Sequence, residues 1–165
     1  MSAPQLDEQQ LHLAQLLNRA VRASDAAFMK QSGGGGLSAR QFSVLMAVKL
    51  HPNLTLTRLI AQTGIDRSRL AEIVRRLVDE GLLRRQRTKA DGRTNAMFLT
   101  KKGQDRLRQA SAGAKRADAF ILDLLPVKLR RSLLNGLRSI IDAAGQTPQP
   151  PSRPSTNGTK IKNSR

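Results

Sequence analysis

Apolar residues recur every three to four positions along most of the chain, which is the spacing of one face of an α-helix. Over residues 6–31 this spacing predicts a first helix, and the glycine run at 33–36 ends it. Ser38 can cap a second helix that runs to about His51. The N-terminal part of the chain therefore predicts two helices joined by a flexible connector.

The middle of the chain has the pattern of two helices joined by a tight turn. A short third helix is predicted from about Thr57 to Gln62, and Gly64 suits the left-handed turn that ends it. Asp66 can cap a fourth helix that continues to about Glu80. This order is typical of a helix-turn-helix, whose second helix enters the major groove of DNA.

Two strands are predicted next, at residues 82–88 and 95–100, and the Asp91-Gly92 pair between them favours a tight reversal. The hairpin is densely basic, with five cations at Arg84, Arg85, Arg87, Lys89 and Arg93. Positive charges placed this close together repel one another unless an anion balances them. The hairpin is therefore predicted to be a DNA-binding wing.

Two more helices follow the hairpin, one from Lys101 or Lys102 and one after Pro126. The sixth helix has an apolar face that must be buried, formed by Leu129, Leu133, Leu137 and Ile140. In so small a chain a partner subunit is the natural cover, although burial within a monomer remains the alternative. From Gly145 onward four prolines and no acidic residue predict a disordered basic tail.

The charge of the chain is +17 and is unevenly distributed. Residues 1–37 carry three basic and three acidic residues, whereas residues 38–103 carry 14 basic and five acidic ones, a net +9. Residues 104–165 carry 12 basic and four acidic residues, a net +8. A neutral N-terminal segment beside a basic centre indicates that the centre faces a polyanion.

The composition argues against most enzyme classes. The chain has no Cys, two separate His residues, no clustered carboxylates and no phosphate-binding glycine motif, so no catalytic pair, metal site or cofactor is expected. No secretory signal and no apolar run of about 18 residues is visible in the sequence. A cytoplasmic, nucleoid-associated protein without a membrane partner is therefore expected.

The first turn of the fourth helix holds the residues that point most directly to DNA reading. Arg67, Ser68 and Arg69 occupy the positions that reach base edges when such a helix enters the major groove. Arg can form paired hydrogen bonds with guanine, worth about 1–3 kcal/mol of discrimination. Ser68 can donate a hydrogen bond to a base or a phosphate.

Further along the same helix, Arg75 and Arg76 have two interpretations of equal weight. Either they contact phosphates, or they pair with Asp79 or Glu80 on the helix surface. Glu72 would repel phosphate, so it is expected to read cytosine or to neutralise an Arg.

In the wing, Arg93 is the candidate for a narrow minor groove, where the potential is most negative. Arg87 and Lys89 are further DNA-contacting candidates, while Asp91 and Arg85 are expected to position the wing. The alternative is a merely solvated basic turn.

Residues 37–103 resemble the core of the MarR family of bacterial transcriptional regulators. The residues that carry the resemblance occur at the family's spacing without a gap: Leu37, Gln41, Val44, Leu45, Pro52, Leu54, Thr55, Leu59, Gly64, Ile65, Arg67, Ser68, Leu77, Gly81, Leu82, Arg85, Asp91, Arg93, Leu99, Thr100 and Gly103. Two positions depart from the pattern. Ile60 stands where the family usually has Ala, and Gly92 replaces the first Arg of the usual Asp-Arg-Arg wing tip.

The resemblance implies a mainly α fold with a small β-wing, six helices, and dimerisation through the N- and C-terminal helices. It implies four parts: a dimerisation helix and connector at 1–36, a winged helix-turn-helix at 37–103, dimerisation helices at 104–144 and a tail at 145–165. It also places Thr55 among the DNA-contacting residues. A homodimer would hold two recognition helices about one duplex turn apart and would read a palindromic operator in double-stranded DNA.

The expected function is a sequence-specific dimeric transcriptional regulator, a repressor whose DNA affinity a small anionic or aromatic effector controls. The residues do not identify that ligand, although Arg19, Arg22 and Arg40 could hold an anion on charge alone. The alternative is a non-specific architectural DNA-binding protein without an effector, which the high charge also favours.

Overall fold

The computed structural model describes residues 12–32, 36–88 and 91–145, with only the backbone at 88, 91–95 and 145. Six helices and three strands occupy these residues, in the order α1 (Leu13–Gln31), α2 (Ala39–Leu50), β1 (Leu54–Thr55), α3 (Leu56–Thr63), α4 (Arg67–Asp79), β2 (Leu83–Thr88), β3 (Asp91–Leu99), α5 (Lys101–Asp123) and α6 (Val127–Gly145). The predicted tail from residue 146 and the start of the first helix lie outside the described residues. The mainly α fold with six helices is confirmed.

The sheet has one strand more than the sequence pattern predicted. Its order is β1-β3-β2, with both pairings antiparallel, and Leu54 lies opposite Met97. β1 has only two residues, too few to produce an alternating pattern that sequence reasoning could detect. It joins the helix-turn-helix to the base of the wing.

The wing hairpin closes at a different place from the one predicted. Asp91 pairs with Thr88, so Asp91 and Gly92 lie within β3 and do not form the reversal. The register is irregular between Arg87 and Thr88. The strand begins four residues earlier than predicted because its outer part is polar and lacks the apolar positions that mark a strand in sequence.

Four helices begin with a side chain that accepts a backbone N–H three residues later. Ser38 and Gln41 form a reciprocal capping box at α2, with bonds of 3.2 and 2.8 Å. Thr55, Asp66 and Thr100 cap α3, α4 and α5 in the same way. These contacts satisfy amide groups that a helix start otherwise leaves without a partner.

The main core lies between α2, α3, α4, α5 and the sheet. With only four Phe in the chain, it is filled mostly by aliphatic side chains, and the most deeply buried are Val44, Leu45, Leu59, Leu70, Val74, Leu77, Leu82, Leu83 and Leu107. Ile60 is partly buried against this core. The larger side chain at this departure from the family pattern is therefore accommodated.

The end of α4 is fastened to the start of α5. The Thr100 hydroxyl donates to the carbonyl oxygen of Gly81 at 2.6 Å, and Lys102 Nζ donates to that of Glu80 at 2.8 Å. A Cβ at Gly103 would collide with the carbonyl oxygen of Leu82. Glycine therefore permits the close approach that these hydrogen bonds require.

The end of α1 packs directly on the middle of α5. A Cβ on Gly113 would lie 2.5 Å from Cα of Ser32, and Arg116 Nη2 donates to the carbonyl oxygen of Gln31 at 2.8 Å. Ala27 and Phe28 are buried here, and the Phe28 ring lies 5.3 Å from that of Phe42. α5 thus contacts both α1 and the end of α4.

Several large apolar residues are exposed in the single chain, including the α6 face that was expected to be buried. They include Leu13, Leu17 and Val21 of α1, Phe120 of α5, and Leu129, Leu133, Leu137, Ile140 and Ile141 of α6. The chain divides into two compact units, with the boundary between Arg130 and Arg131 in α6. Among the described residues, no helix is long and apolar enough to span a membrane.

Candidate nucleic-acid interface

The first turn of α4 is held with its polar side chains facing outward. Leu70, Val74 and Leu77 are buried on the inner face of the helix. Ser68, Arg69 and Arg67 are all exposed. Ser68 and Arg69 lie away from the inner face, whereas Arg67 lies one turn before Leu70 and so at the edge of that face. The outward end of α4 is therefore formed mainly by Ser68 and Arg69.

Asp66 organises this turn through one carboxylate oxygen. Its Oδ1 accepts the backbone N–H of Arg69 and the hydroxyl of Ser68, each at 2.9 Å. The N–H of Arg69 and the Ser68 hydroxyl hold the pKa of Asp66 below its ordinary value, against an opposing effect of desolvation, and the nearby Arg69 charge adds to the lowering. Asp66 is therefore a carboxylate at neutral pH and acts only as an acceptor.

Both arginines further along α4 are paired on the helix surface. Arg75 contacts Asp79 at 3.3 Å, and Arg76 contacts Glu72 at 2.8 Å. The pairing interpretation is therefore confirmed for Arg75 with Asp79. Glu72 neutralises an Arg, one of its two expected roles, so Arg76 pairs with Glu72 and not with Asp79 or Glu80. Exposed pairs of this kind contribute about 0–1 kcal/mol, so a phosphate can compete for either Arg.

Thr55 lies at the start of α3, where its hydroxyl oxygen accepts the backbone N–H of Arg58 at 3.4 Å. The residue is half-buried. Its hydroxyl proton remains available to an outside acceptor, so DNA contact stays a prediction for Thr55.

The described part of the wing presents arginines on both faces. Arg84 stacks over the ring of Phe98, with its guanidinium carbon 4.7 Å from the ring centroid, and bonds to Gln86 at 2.5 Å. Because side chains alternate along a strand, Arg85 and Arg87 lie on the opposite face, and both are exposed. Lys89 lies outside the described residues, as do the side chains of Asp91 and Arg93, so the wing-tip roles stay predictions.

Sequence reasoning missed two features of this surface. It counted Arg84 only among the basic residues of the wing and did not predict its contact with Phe98, although the cross-strand pairing of the two residues produces their stacking. It also expected the Ser68 hydroxyl to donate a hydrogen bond to DNA, whereas this hydroxyl donates to the carboxylate of Asp66. An Asp followed two residues later by Ser at a helix start is a local signal that could have indicated this bond.

No three His, Asp or Glu residues of the described ranges lie close enough to hold a metal ion. His12 instead caps α1, where its Nδ1 accepts the backbone N–H of Ala14 at 3.3 Å.

Comparison with known proteins identifies the fold. Residues 35–94 match the sequence model described as MarR family. The chain also matches BpsR of Bordetella bronchiseptica, whose DNA binding is regulated by 6-hydroxynicotinic acid, with 25% identity over 85% of this chain and 99% of that one and a TM-score of 0.74. The chain therefore carries a MarR-type segment at residues 35–94, within a fold that matches solved DNA-binding regulators over most of its length.

Two further solved structures share this fold. PcaV of Streptomyces coelicolor, solved with its natural ligand, is 28% identical over 87% of this chain and 99% of that one, with a TM-score of 0.73. The transcriptional repressor CouR, solved on a 23-mer DNA duplex, is 29% identical over 82% of this chain and 98% of that one, with a TM-score of 0.70. No curated protein sequence matches the chain significantly.

The Asp66 cap makes a testable contribution to stability. Because the pKa of Asp66 is lowered on folding, its ionised form stabilises the fold above the unfolded-state pKa, and this contribution is lost as the pH falls through the lowered value. Asn caps a helix about as well as Asp but does not titrate. In thermal unfolding, we expect the Tm advantage of the wild type over Asp66→Asn to be constant near neutral pH and to shrink below about pH 4.

A constant Tm difference down to about pH 2 would contradict a lowered Asp66 pKa. The matched control is Asp142→Asn, because Asp142 is exposed on α6 and lies far from the start of that helix. Its Tm difference from the wild type should change less over the same range.

Proposed function

We propose that this protein is a dimeric, sequence-specific DNA-binding regulator that acts as a repressor under small-molecule control. The observation that carries the proposal is the first turn of α4, where Ser68 and Arg69 are exposed and oriented by the Asp66 cap beside a basic wing. Kinship with CouR, a repressor solved on DNA, supports the same use of this surface.

The distribution of charge along α4 favours base reading at its first turn. Arg75 and Arg76 are balanced by Asp79 and Glu72, so the outer face of the later turns carries little net charge. Arg67 and Arg69 outnumber the single Asp66 at the start of the helix, where the helix dipole adds positive potential. Arg69 is proposed to read guanine, and Arg87, Lys89 and Arg93 are proposed to hold the wing on the adjacent backbone and minor groove.

Replacing Arg69 tests the major-groove role. Arg69→Ala should lower affinity for the preferred duplex by about 10- to 100-fold and should remove the preference at one base position of each half-site. Arg69→Lys keeps the charge but not the paired hydrogen bonds, so it should retain the salt dependence and lose the same preference. Selection from a randomised duplex library, followed by fluorescence anisotropy at several salt concentrations, measures both effects.

Lys115→Ala, an exposed change on α5 outside the proposed interface, is the charge control and should leave base preference intact. Equal affinity of the wild type for all duplexes at physiological salt would contradict the proposal. That result would favour the architectural alternative, which predicts a steep salt slope without sequence preference.

The dimer is proposed from apolar surface that the single chain leaves open. α6 exposes Leu133 by 40% and Leu137 by 36%, and Leu129 and Ile140 extend the same stripe. α1 exposes Leu13, Leu17 and Val21 in the same way. Stripes of this size mark protein interfaces, and a second copy of the chain is the occupant expected of a regulator that reads a palindrome.

A charge placed on the α6 stripe should separate the subunits. Leu133→Glu is expected to yield a monomer in sedimentation analysis and to weaken operator binding by at least about tenfold, because a single half-site then carries the affinity. Asn135→Glu introduces the same charge on the polar side of α6 and should leave the dimer intact. A Leu133→Glu protein that remains dimeric would place the interface elsewhere.

Effector control is proposed for a cleft between α2, β3 and α5. The cleft holds about 420 Å³ and is lined by Val48, Lys49, Pro52, Met97, Phe98, Leu99, Gln104 and Arg108. Its apolar floor and two cations suit a small aromatic acid. The relatives BpsR and PcaV respectively respond to and bind small molecules. Arg19, Arg22 and Arg40 do not line it, and Arg40 instead lies 3.7 Å from Asp25.

A panel of aromatic carboxylic acids should contain compounds that release the labelled operator. Arg108→Gln should raise the concentration needed for release by about tenfold while leaving operator affinity unchanged without the acid, because one charge-assisted contact is lost. Lys115→Gln, further along α5, is the matched control. Release that is equally efficient in Arg108→Gln would exclude this cleft as the effector site.

A further inference from the structure

The direction of one hydrogen bond limits what Ser68 can read. Ser68 has a single hydroxyl proton, and its Oγ lies 2.9 Å from Asp66 Oδ1. An ionised carboxylate cannot donate, so the hydroxyl proton points to Asp66. The same Oδ1 also accepts the N–H of Arg69 at 2.9 Å, which holds the carboxylate in place at the helix start.

What remains on Ser68 is an exposed oxygen with free lone pairs and no proton to give. Phosphate oxygens, guanine O6 and N7, and thymine O4 are all acceptors, so none of them can bond to Ser68 while the Asp66 contact persists. In the major groove the donors are the N6 amino group of adenine and the N4 amino group of cytosine. The chemistry therefore selects the amino-bearing bases.

We infer that Ser68 is a specificity-determining residue that accepts a hydrogen bond from the exocyclic amino group of adenine or cytosine, with Asp66 as the residue that fixes its orientation. This inference rests on the proposed function, since it requires α4 to enter the major groove. It replaces the expectation that Ser68 donates to a base or a phosphate, and it assigns Asp66 a role beyond capping the helix.

A purely structural role for the Ser68 hydroxyl makes a different prediction. The amide of Arg69 already satisfies the capping function of Asp66. If Ser68 only supported the cap, Ser68→Ala would change stability and leave every base preference as it is. Base preference is therefore the readout that separates the two roles.

The test is selection from a randomised palindromic duplex library with the full-length protein. The wild type should prefer adenine or cytosine at one position of each half-site, and Ser68→Ala should lose that preference by about three- to tenfold while it keeps the others. Ser43→Ala is the matched control, because Ser43 is exposed on α2 and its hydroxyl donates to the carbonyl oxygen of Ala39 within the same helix. It should keep all preferences.

Asp66→Gly tests the orientation itself. Gly is tolerated at a helix start, and its introduction frees the Ser68 hydroxyl to rotate and donate. This variant should bind thymine or guanine at the Ser68 position about as well as adenine or cytosine, with general DNA affinity unchanged or higher because a negative charge is removed. A variant that still rejects thymine and guanine would overturn the role of Asp66.

Removal of the base amino group gives the final measurement. Purine in place of adenine, or 2-pyrimidinone in place of cytosine, should weaken wild-type binding by about three- to tenfold per half-site and should not further weaken Ser68→Ala. If Ser68→Ala kept the preference for adenine or cytosine, or if it instead lost a preference for guanine or thymine, the inference would be overturned. Sequence-specific binding by the protein would still stand in either case. A wild type without any base preference would overturn this inference and the proposed function together.

Discussion

The carbonyl groups that follow α4 are the constraint on which the interface depends. A recognition helix can read bases only if the body of the protein fixes its position, and the Glu80 and Gly81 carbonyls are held by Lys102 and Thr100 of the α5 start. Gly103 allows this contact because no side chain separates the two segments. α5 continues to Gly113 and Arg116, where it packs on the end of α1. One helix therefore links α1, with its exposed apolar residues, to the helix proposed to read DNA, and a shift of α5 would be passed to α4.

The acidic residues of α4 are as informative as its arginines. Glu72 and Asp79 neutralise the later turns, whereas Asp66 is occupied by the cap and leaves Arg67 and Arg69 in excess at the start. The net positive charge of α4 is therefore greatest at its first turn, which is the end proposed to approach bases. The later turns of α4 carry little net charge and attract phosphate less strongly. The partial pairing remains weak enough at the surface for Arg75 and Arg76 to exchange partners when DNA approaches.

Features of the fold that depend on neighbouring residues could be predicted from the sequence. Features that depend on pairing between residues distant in the chain could not. The caps at Ser38 and Asp66 and the left-handed Gly64 follow from neighbouring residues, and each occurs as predicted. β1 exists only because β3 lies beside it, and Arg84 stacks on Phe98 only through strand register. At the candidate site, the sequence predicted that Arg69 and Ser68 lie in the first turn of α4, where both are exposed, but it could not determine the partner of Arg76 or the direction of the Ser68 hydrogen bond. Such choices depend on side-chain geometry.

For so basic a chain to bind one DNA sequence in preference to others, more than one copy of the first turn of α4 would have to contact the DNA. Non-specific attraction grows with every cation, and this chain carries a net charge of +17. A specific site is typically favoured by about 4–10 kcal/mol over random DNA. One bidentate Arg and one Ser hydrogen bond supply about 2–4 kcal/mol between them, which is too little for a single subunit. In the proposed dimer, two copies of the same turn would double that difference on a short operator. The exposed α1 and α6 faces and the small number of proposed base readers on α4 are therefore consistent with one arrangement, in which the proposed dimer would provide the discrimination that one helix lacks.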